Sequence, residues 1–79
     1  MPRYFMHLRD SSDEVLDPDG LLMSKDAIAG AALFAARGCM AHDIRSGRID
    51  LRCQIDVHNE AGEIVHTLEF SDAMTIVLA

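Results

Sequence analysis

Four side chains of this sequence could together bind a metal ion. Cys39 and His42 are three residues apart, which would put them on one face of a helix. Cys53 and His66 lie in two alternating segments, and we expect both to point toward that helix. Two thiolates and two imidazoles suit tetrahedral zinc, but this spacing matches no known zinc finger or ribbon. Free cysteine also packs as a small hydrophobic residue. We favour core packing and predict no metal or cofactor.

A second possible chemistry involves Pro2. If Met1 is removed, Pro2 carries a secondary amine at the head of a predicted strand. This resembles the tautomerase family, small oligomeric enzymes in which an N-terminal proline is the general base. The resemblance implies that Arg3, Arg9 or Arg45 would bind an acidic substrate. Tautomerases have no second short strand before the helix, so we favour an ordinary processed terminus and predict no catalytic residue.

Three arginines near the end of the predicted helix could bind phosphate: Arg45, Arg48 and Arg52. Three aspartates interrupt them: Asp43, Asp50 and Asp56. The chain has seven Lys and Arg against thirteen Asp and Glu, a net charge of −6, which repels nucleic acid and anionic membranes. We therefore predict neither a nucleic-acid nor a membrane partner.

His7 is flanked by Phe5 and Arg9 and has no serine or cysteine near it in sequence. Without a nucleophile, a structural hydrogen bond or a place on an oligomer surface is the better interpretation. Its strand carries apolar side chains on both faces, which favours a subunit contact. The alternation puts Phe5 and His7 on one face and the other set opposite: Tyr4, Met6 and Leu8.

Length and composition indicate one folded domain over residues 1–79. The chain is 49% hydrophobic and 25% charged, without repeats or a linker. Its first residues lack the apolar segment of a secretory signal, and two cysteines form no disulfide framework. We therefore expect reduced thiols and a cytoplasmic protein, with a disulfide between Cys39 and Cys53 as the less favoured alternative.

The first half of the chain reads as two strands and two turns. Residues 3–9 alternate like a strand, residues 10–13 form a turn, and residues 14–17 return as a short strand. The Pro and Gly of residues 17–20 end that strand in a tight turn. Residues 21–23 are expected to lead inward.

A helix is predicted over about residues 25–45, with Ser24 as N-cap and Gly47 as stop. Residues 27–41 carry one charge and are apolar around most of the helix. They are too few to span a bilayer, which takes about 20 apolar residues. A helix apolar on several sides needs cover on several sides, most simply from a second copy.

The second half reads as a hairpin of residues 51–58 and 64–70 joined by residues 59–62. The expected pairs are His58–Glu63, Val57–Ile64, Ile55–His66, Cys53–Leu68 and Leu51–Phe70. Arg52 then lies opposite Glu69 on a wet outer face, beside Gln54, Asp56 and Thr67. We expect small helix residues to lie close to the covered face: Gly30, Ala31, Ala32, Ala35 and Gly38.

The predicted architecture is α+β, a two-layer β-β-α-β-β domain. One long helix packs on one face of an antiparallel sheet. Residues 71–79 form an apolar C-terminal tail or an edge strand, within the chain or across a dimer.

Several segments together resemble a small bacterial family known only as a domain of unknown function, which opens M-P-R-Y-F-x-H-[LV]-R. The matching residues are Pro2-Arg3-Tyr4-Phe5, His7-Leu8-Arg9-Asp10, Asp19-Gly20, the alanine-rich helix, Ile55, Val57, Glu60, Gly62, Leu68, Phe70 and Asp72-Ala73. The resemblance covers nearly the whole chain and implies no known activity or ligand. Two strands and an alanine-rich helix are also similar in architecture to the small HicB-type antitoxins, which implies a partner-binding module.

The sequence therefore predicts a non-enzymatic interaction module that forms a homodimer or larger oligomer and binds a macromolecular partner, most simply a protein. Two alternatives stay open. One is a small tautomerase-like enzyme that uses Pro2, with Arg9 as the substrate-binding residue. The other is a zinc- or nucleic-acid-binding domain.

Overall fold

The computed structural model describes residues 1–10 and 12–78. An antiparallel sheet and one long helix make up the domain, which confirms the α+β prediction. The strands are β1 (Arg3–Arg9), β2 (Glu14–Val15), β3 (Leu21–Leu22), β4 (Gln54–His58) and β5 (Ile64–Glu69). The helix α1 spans Ile28–Ile44, and 3-10 turns cover Lys25–Ala27 and Phe70–Asp72.

Strand β1 lies inside the sheet, whose order is β2-β1-β4-β5. Strands β2 and β3 both pair with the same edge of β1, β2 near Arg9 and β3 near Arg3. The alternation predicted for β1 is confirmed, because Tyr4 is buried while Met6 and Leu8 pack against the core. Strand β3 was not predicted. Residues 21–23 do not all lead inward: Met23 is buried, but both leucines of β3 are half exposed.

The helix is confirmed, but its start and its inner face differ from the prediction. A 3-10 turn precedes α1, and the Ser24 side chain forms no capping hydrogen bond. The side chains that face the sheet follow a four-residue spacing: Ile28, Ala32, Ala36 and Met40. Gly30 and Gly38 are exposed, so the prediction that glycines allow the close approach is wrong; the buried alanines allow it. Within the described part of the chain, no helix has the length and apolarity to cross a membrane.

The β4–β5 hairpin is present, but its register is shifted by two residues from the prediction. Val57 pairs with His66 rather than with Ile64. The cause is Asn59, whose side-chain Oδ1 accepts hydrogen bonds from the N–H groups of Ala61 and Glu63 and widens the loop. A bulge follows at Val57 and His58. Since the shift is two, the faces are kept, but Glu69 lies opposite Gln54 and not Arg52.

The core lies between α1 and the sheet, and it closes where the chain leaves β5. Phe70 and Val57 are the largest fully buried side chains. The Phe70 N–H donates to the Cys53 carbonyl, so the β4–β5 ladder continues by one more pair before the 3-10 turn. Ala73 is fully buried, and residues 74–78 then continue without helix or strand.

Candidate functional site

A polar cluster on the open face of the sheet is centred on Asp56. The carboxylate accepts hydrogen bonds from Gln54 Nε2 at 2.9 Å and Thr67 Oγ1 at 3.0 Å, and it forms an ion pair with Arg9, whose Nε lies 3.2 Å away. The Asp56 side chain is only 7% exposed. Two hydrogen bonds and one ion pair, from side chains on three strands, compensate for the cost of burying the charge. Asp56 therefore links three strands through its carboxylate, whose oxygens are both in contact with other side chains.

A second carboxylate, Asp17, ties the turn after β2 to the edge of β1. Its Oδ2 accepts from the Met6 N–H at 3.1 Å, and its Oδ1 accepts from the N–H groups of Asp19 and Gly20. Burial raises the pKa of Asp17, but these hydrogen bonds outweigh it and hold that pKa below its ordinary value. The carboxylate takes the place of a strand partner between β2 and β3.

His7 lies beside this tie on the open face. The Asp17 N–H donates to His7 Nδ1 at 3.0 Å, so the ring proton is on Nε2. The ring meets His58 edge-on, with centroids 4.6 Å apart, and stacks on Phe5 at 6.4 Å. The structural hydrogen bond expected of His7 is present, and Nε2 is free to act as a donor at the surface.

The Asp17→Asn variant should lose about 1–2 kcal/mol of unfolding free energy at neutral pH, because charged acceptors form the stronger hydrogen bonds. The pKa of Asp17 is lowered by folding, so its contribution is complete above the unfolded value, near 3.8. It is lost as the pH falls through the folded pKa. The deficit of the variant, measured by urea unfolding, should therefore shrink below that pH. Asp19→Asn is the matched control, and an equal, pH-independent deficit there would contradict the prediction.

Three of the four residues considered as metal ligands line the same hollow. Cys39, His42 and Cys53 line one hollow on the helix side of the sheet, whereas His66 lines another near the start of α1. Both cysteines are free thiols. Burial, followed by the nearby Asp43, raises the pKa of Cys39; burial, followed by Asp50, raises that of Cys53. Among residues 1–10 and 12–78, no group of three or more His, Cys, Asp or Glu side chains could hold a metal ion.

Pro2 is exposed, and two of the three arginines considered as its partners are engaged elsewhere. Its carbonyl accepts a hydrogen bond from the Met23 N–H at 3.1 Å. Arg3 donates through Nη1 to the Asp19 carbonyl at 2.7 Å, and Arg9 pairs with Asp56 on the open face. Arg45 is exposed just past the end of α1. Among residues 1–10 and 12–78, none of the five hollows is lined by Pro2 together with an arginine.

The arginines considered for phosphate binding are largely neutralised. Arg52 Nε lies 2.9 Å from Asp50 Oδ1, and Arg48 Nη2 lies 3.4 Å from Asp50 Oδ2. The hydrogen bonds and charge of Arg52 hold the pKa of Asp50 well below its ordinary range. One carboxylate therefore occupies two of the three guanidinium groups.

The outward side of the helix carries an exposed apolar strip, flanked by the exposed Arg37. We call it the Phe34 face, defined by Ala27, Gly30, Phe34, Gly38 and Ala41. Phe34 is 83% exposed at its centre, and the other four residues are exposed around it. A Cβ added at Gly30 or Gly38 would meet no atom within 4 Å. A large apolar side chain thus projects between two flat positions, each one helical turn away.

An apolar groove lies beside the Phe34 face, where the chain leaves the domain. It has a volume of about 280 Å³ and is lined mainly by apolar side chains: Met40, Ala41, Ile44, Ile49, Ala73 and Met74. Arg37 forms its rim and donates through Nε to the Ala73 carbonyl at 2.9 Å. Beyond the groove, Val77 and Leu78 are each 86% exposed.

Sequence reasoning missed three features of these surfaces. Asp17 was assigned to a turn, although an Asp-Pro-Asp-Gly run signals a side chain that bonds its own backbone. Asp56 was placed on the outer face without its burial, which depends on β1 lying next to β4. The third feature is the ring of Phe5, which β1 places on the open face beside His58 because β1 pairs with β4.

The family model described as Domain of unknown function (DUF6894) matches residues 3–71. No curated protein and no solved structure matches the chain, so the likeness to the HicB-type antitoxins stays a prediction. The match covers most of the 79 residues, including every strand and α1. The chain therefore belongs to the DUF6894 family of domains of unknown function.

Proposed function

We propose that this domain is a non-enzymatic interaction module that forms a homodimer through the Phe34 face. The observation that carries the proposal is the exposure of Phe34, 83% on the outward side of the helix. Its burial in a contact removes apolar surface from water, the main favourable contribution to association. The two partly or fully buried carboxylates have structural contacts. Asp17 accepts backbone hydrogen bonds at the edge of β1, and Asp56 is held by side chains on the open face.

A second copy suits this face because the face is complementary to itself. Phe34 projects, and Gly38 leaves a flat position four residues away, about 6 Å along the helix. In an antiparallel pair with two-fold symmetry, Phe34 of each copy packs over Gly38 of the other, so one contact occurs twice. Glycine lets the two helix backbones approach closely.

Charge also favours this side of the molecule for self-association. The chain carries a net charge of −6, so two copies repel each other at most orientations. The five residues of the Phe34 face are uncharged. Pairing there keeps the carboxylates of both copies away from the contact.

The open face of the sheet lies on the opposite side of the molecule and stays accessible in such a dimer. Its aromatic rings, Phe5, His7 and His58, stand beside Arg9. Aromatic and arginine side chains are enriched at protein interfaces. We assign the macromolecular partner of the module, a second protein, to this face.

The test is the effect of Phe34→Asp on mass in solution, measured by sedimentation equilibrium. The natural chain should sediment at twice 8.7 kDa, and Phe34→Asp at 8.7 kDa, because a buried unpaired carboxylate opposes association. Circular dichroism should show an unchanged fold. Leu16→Asp is the matched control, an exposed leucine near β2, and it should stay dimeric. A monomeric natural chain at micromolar concentration would overturn the proposal.

A further inference from the structure

We infer that the apolar segment of residues 74–78 of one copy crosses to the second copy and packs its end against the open edge of β5 there. The inference rests on the proposed homodimer and names a further contact within it. The occupant is a segment of this chain, Met74-Thr75-Ile76-Val77-Leu78, and the site is the β5 edge with the small hollow beside it.

The segment has the composition of a strand, but among residues 1–10 and 12–78 it pairs with no strand. Thr75, Ile76 and Val77 are consecutive β-branched residues, which favour extended backbone. Residues 74–78 belong to no strand or helix. Ile76, Val77 and Leu78 are 55–86% exposed. A run of exposed apolar side chains of this kind needs cover.

The segment is directed away from the β5 edge of its own copy. Ala73 is fully buried, and its carbonyl accepts a hydrogen bond from Arg37 Nε at 2.9 Å. Met74 lies in the groove beside Met40 and Ile44. The chain therefore leaves the domain over the C-terminal half of α1 and does not turn back along β5.

The β5 edge presents the complementary features. Within the described residues β5 pairs with β4 alone, so its other edge has backbone groups available for a further strand. Ile64 and Val65 are exposed along it. Beside them is a hollow of about 190 Å³, lined by apolar and by polar side chains: Tyr4, Ile28, Ala29 and Val65, with Lys25, Asp26 and His66. The hollow is large enough to accept a valine or leucine side chain.

The antiparallel pairing of helices brings the segment and the edge together. Ala29 lines the β5 hollow and Met40 lines the groove; they are eleven residues apart, about three helical turns, and so lie on one flank of α1. A two-fold axis across the paired helices keeps this flank on the same side in both copies. It also sets the C-terminal half of one helix against the N-terminal half of the other. Five extended residues reach about 16 Å, so the segment uses its length to cross between the copies, and its last residues, Val77 and Leu78, make the contact with the β5 edge.

Disulfide trapping between two differently tagged variants tests the contact. Val77→Cys and Val65→Cys chains are mixed, allowed to exchange and oxidised, and should form a covalent heterodimer. Val15→Cys replaces Val65→Cys in the control, since Val15 is an exposed valine at the opposite edge of the sheet, and should form none. A third chain carries both Val65→Cys and Val77→Cys. If this chain closes a disulfide within itself and no heterodimer forms from the mixed chains, the segment covers the β5 edge of its own copy and the inference is wrong.

A chain that ends at Met74 provides a second, independent readout. Loss of residues 75–79 should weaken dimerisation by about tenfold or more. If the natural chain is dimeric and Phe34→Asp dissociates it, while the shortened chain dimerises unchanged and no heterodimer is trapped, only the present inference fails. A monomeric natural chain overturns this inference together with the proposed function.

Discussion

The Phe70→Ala variant is expected to lose about 3–5 kcal/mol of unfolding free energy. Phe70 is 1% exposed, and it lies where the chain turns from β5 beneath the helix. Its removal leaves a cavity that the short 3-10 turn around it has little freedom to fill. Small domains are stable by only about 5–15 kcal/mol, so this loss is a large part of the whole stability. Urea unfolding followed by circular dichroism measures the loss.

Phe34→Ala is the matched control for this prediction. It deletes the same atoms at a side chain that is 83% exposed. In a dilute sample, where the chain is monomeric, the unfolding free energy should change by no more than about 0.5 kcal/mol. Similar losses for the two variants would mean that Phe70 does not anchor the core as described.

The Gly20→Ala variant should lose about 2–4 kcal/mol of unfolding free energy. Gly20 has φ +67°, a left-handed conformation that disfavours a side chain. A Cβ there would also lie 2.7 Å from the Tyr4 carbonyl oxygen and 2.9 Å from carbons of Arg3 and Phe5. The backbone of β1 must then move, and the N–H of residue 20 must withdraw from Asp17 Oδ1.

Gly62→Ala separates the two causes. Gly62 has φ +82°, but a Cβ there would meet no atom within 4 Å. It should lose only the conformational part, about 1 kcal/mol. The difference between the two variants, measured by thermal unfolding, reports the contact with β1. Equal losses would show that the turn moves away from β1 without cost.

The local elements of the fold were predictable because their signals are local. The alternation of residues 3–9, the long apolar helix and the two strands of the hairpin follow from periodicity. Strand order was not predictable, since nothing in the sequence states which edge of β1 meets β4. The hairpin register failed by two residues because Asn59 forms a turn with its own backbone, which hydrophobic alternation cannot detect.

The candidate interaction surface was predictable in kind but not in place. A stretch of fifteen residues with one charge indicates a helix that needs cover. Which side of it stays bare depends on the four-residue spacing of Ile28, Ala32, Ala36 and Met40, known only once the sheet is assembled. Gly30 and Gly38 were expected to face the sheet, whereas they lie on the exposed side of the helix and flank Phe34.

The Asp17 carboxylate interrupts one edge of the sheet, which bears on strand pairing between copies of this chain. At the β1 side of the sheet, strands β2 and β3 are two residues each, and the Asp17 carboxylate occupies the Met6 N–H between them. A sheet edge interrupted in this way is poorly suited to pairing with a strand of another chain. With one edge of the sheet interrupted and the other a full strand, any pairing of sheet edges between copies would end after a single step. This edge structure opposes growth into fibres by repeated strand pairing.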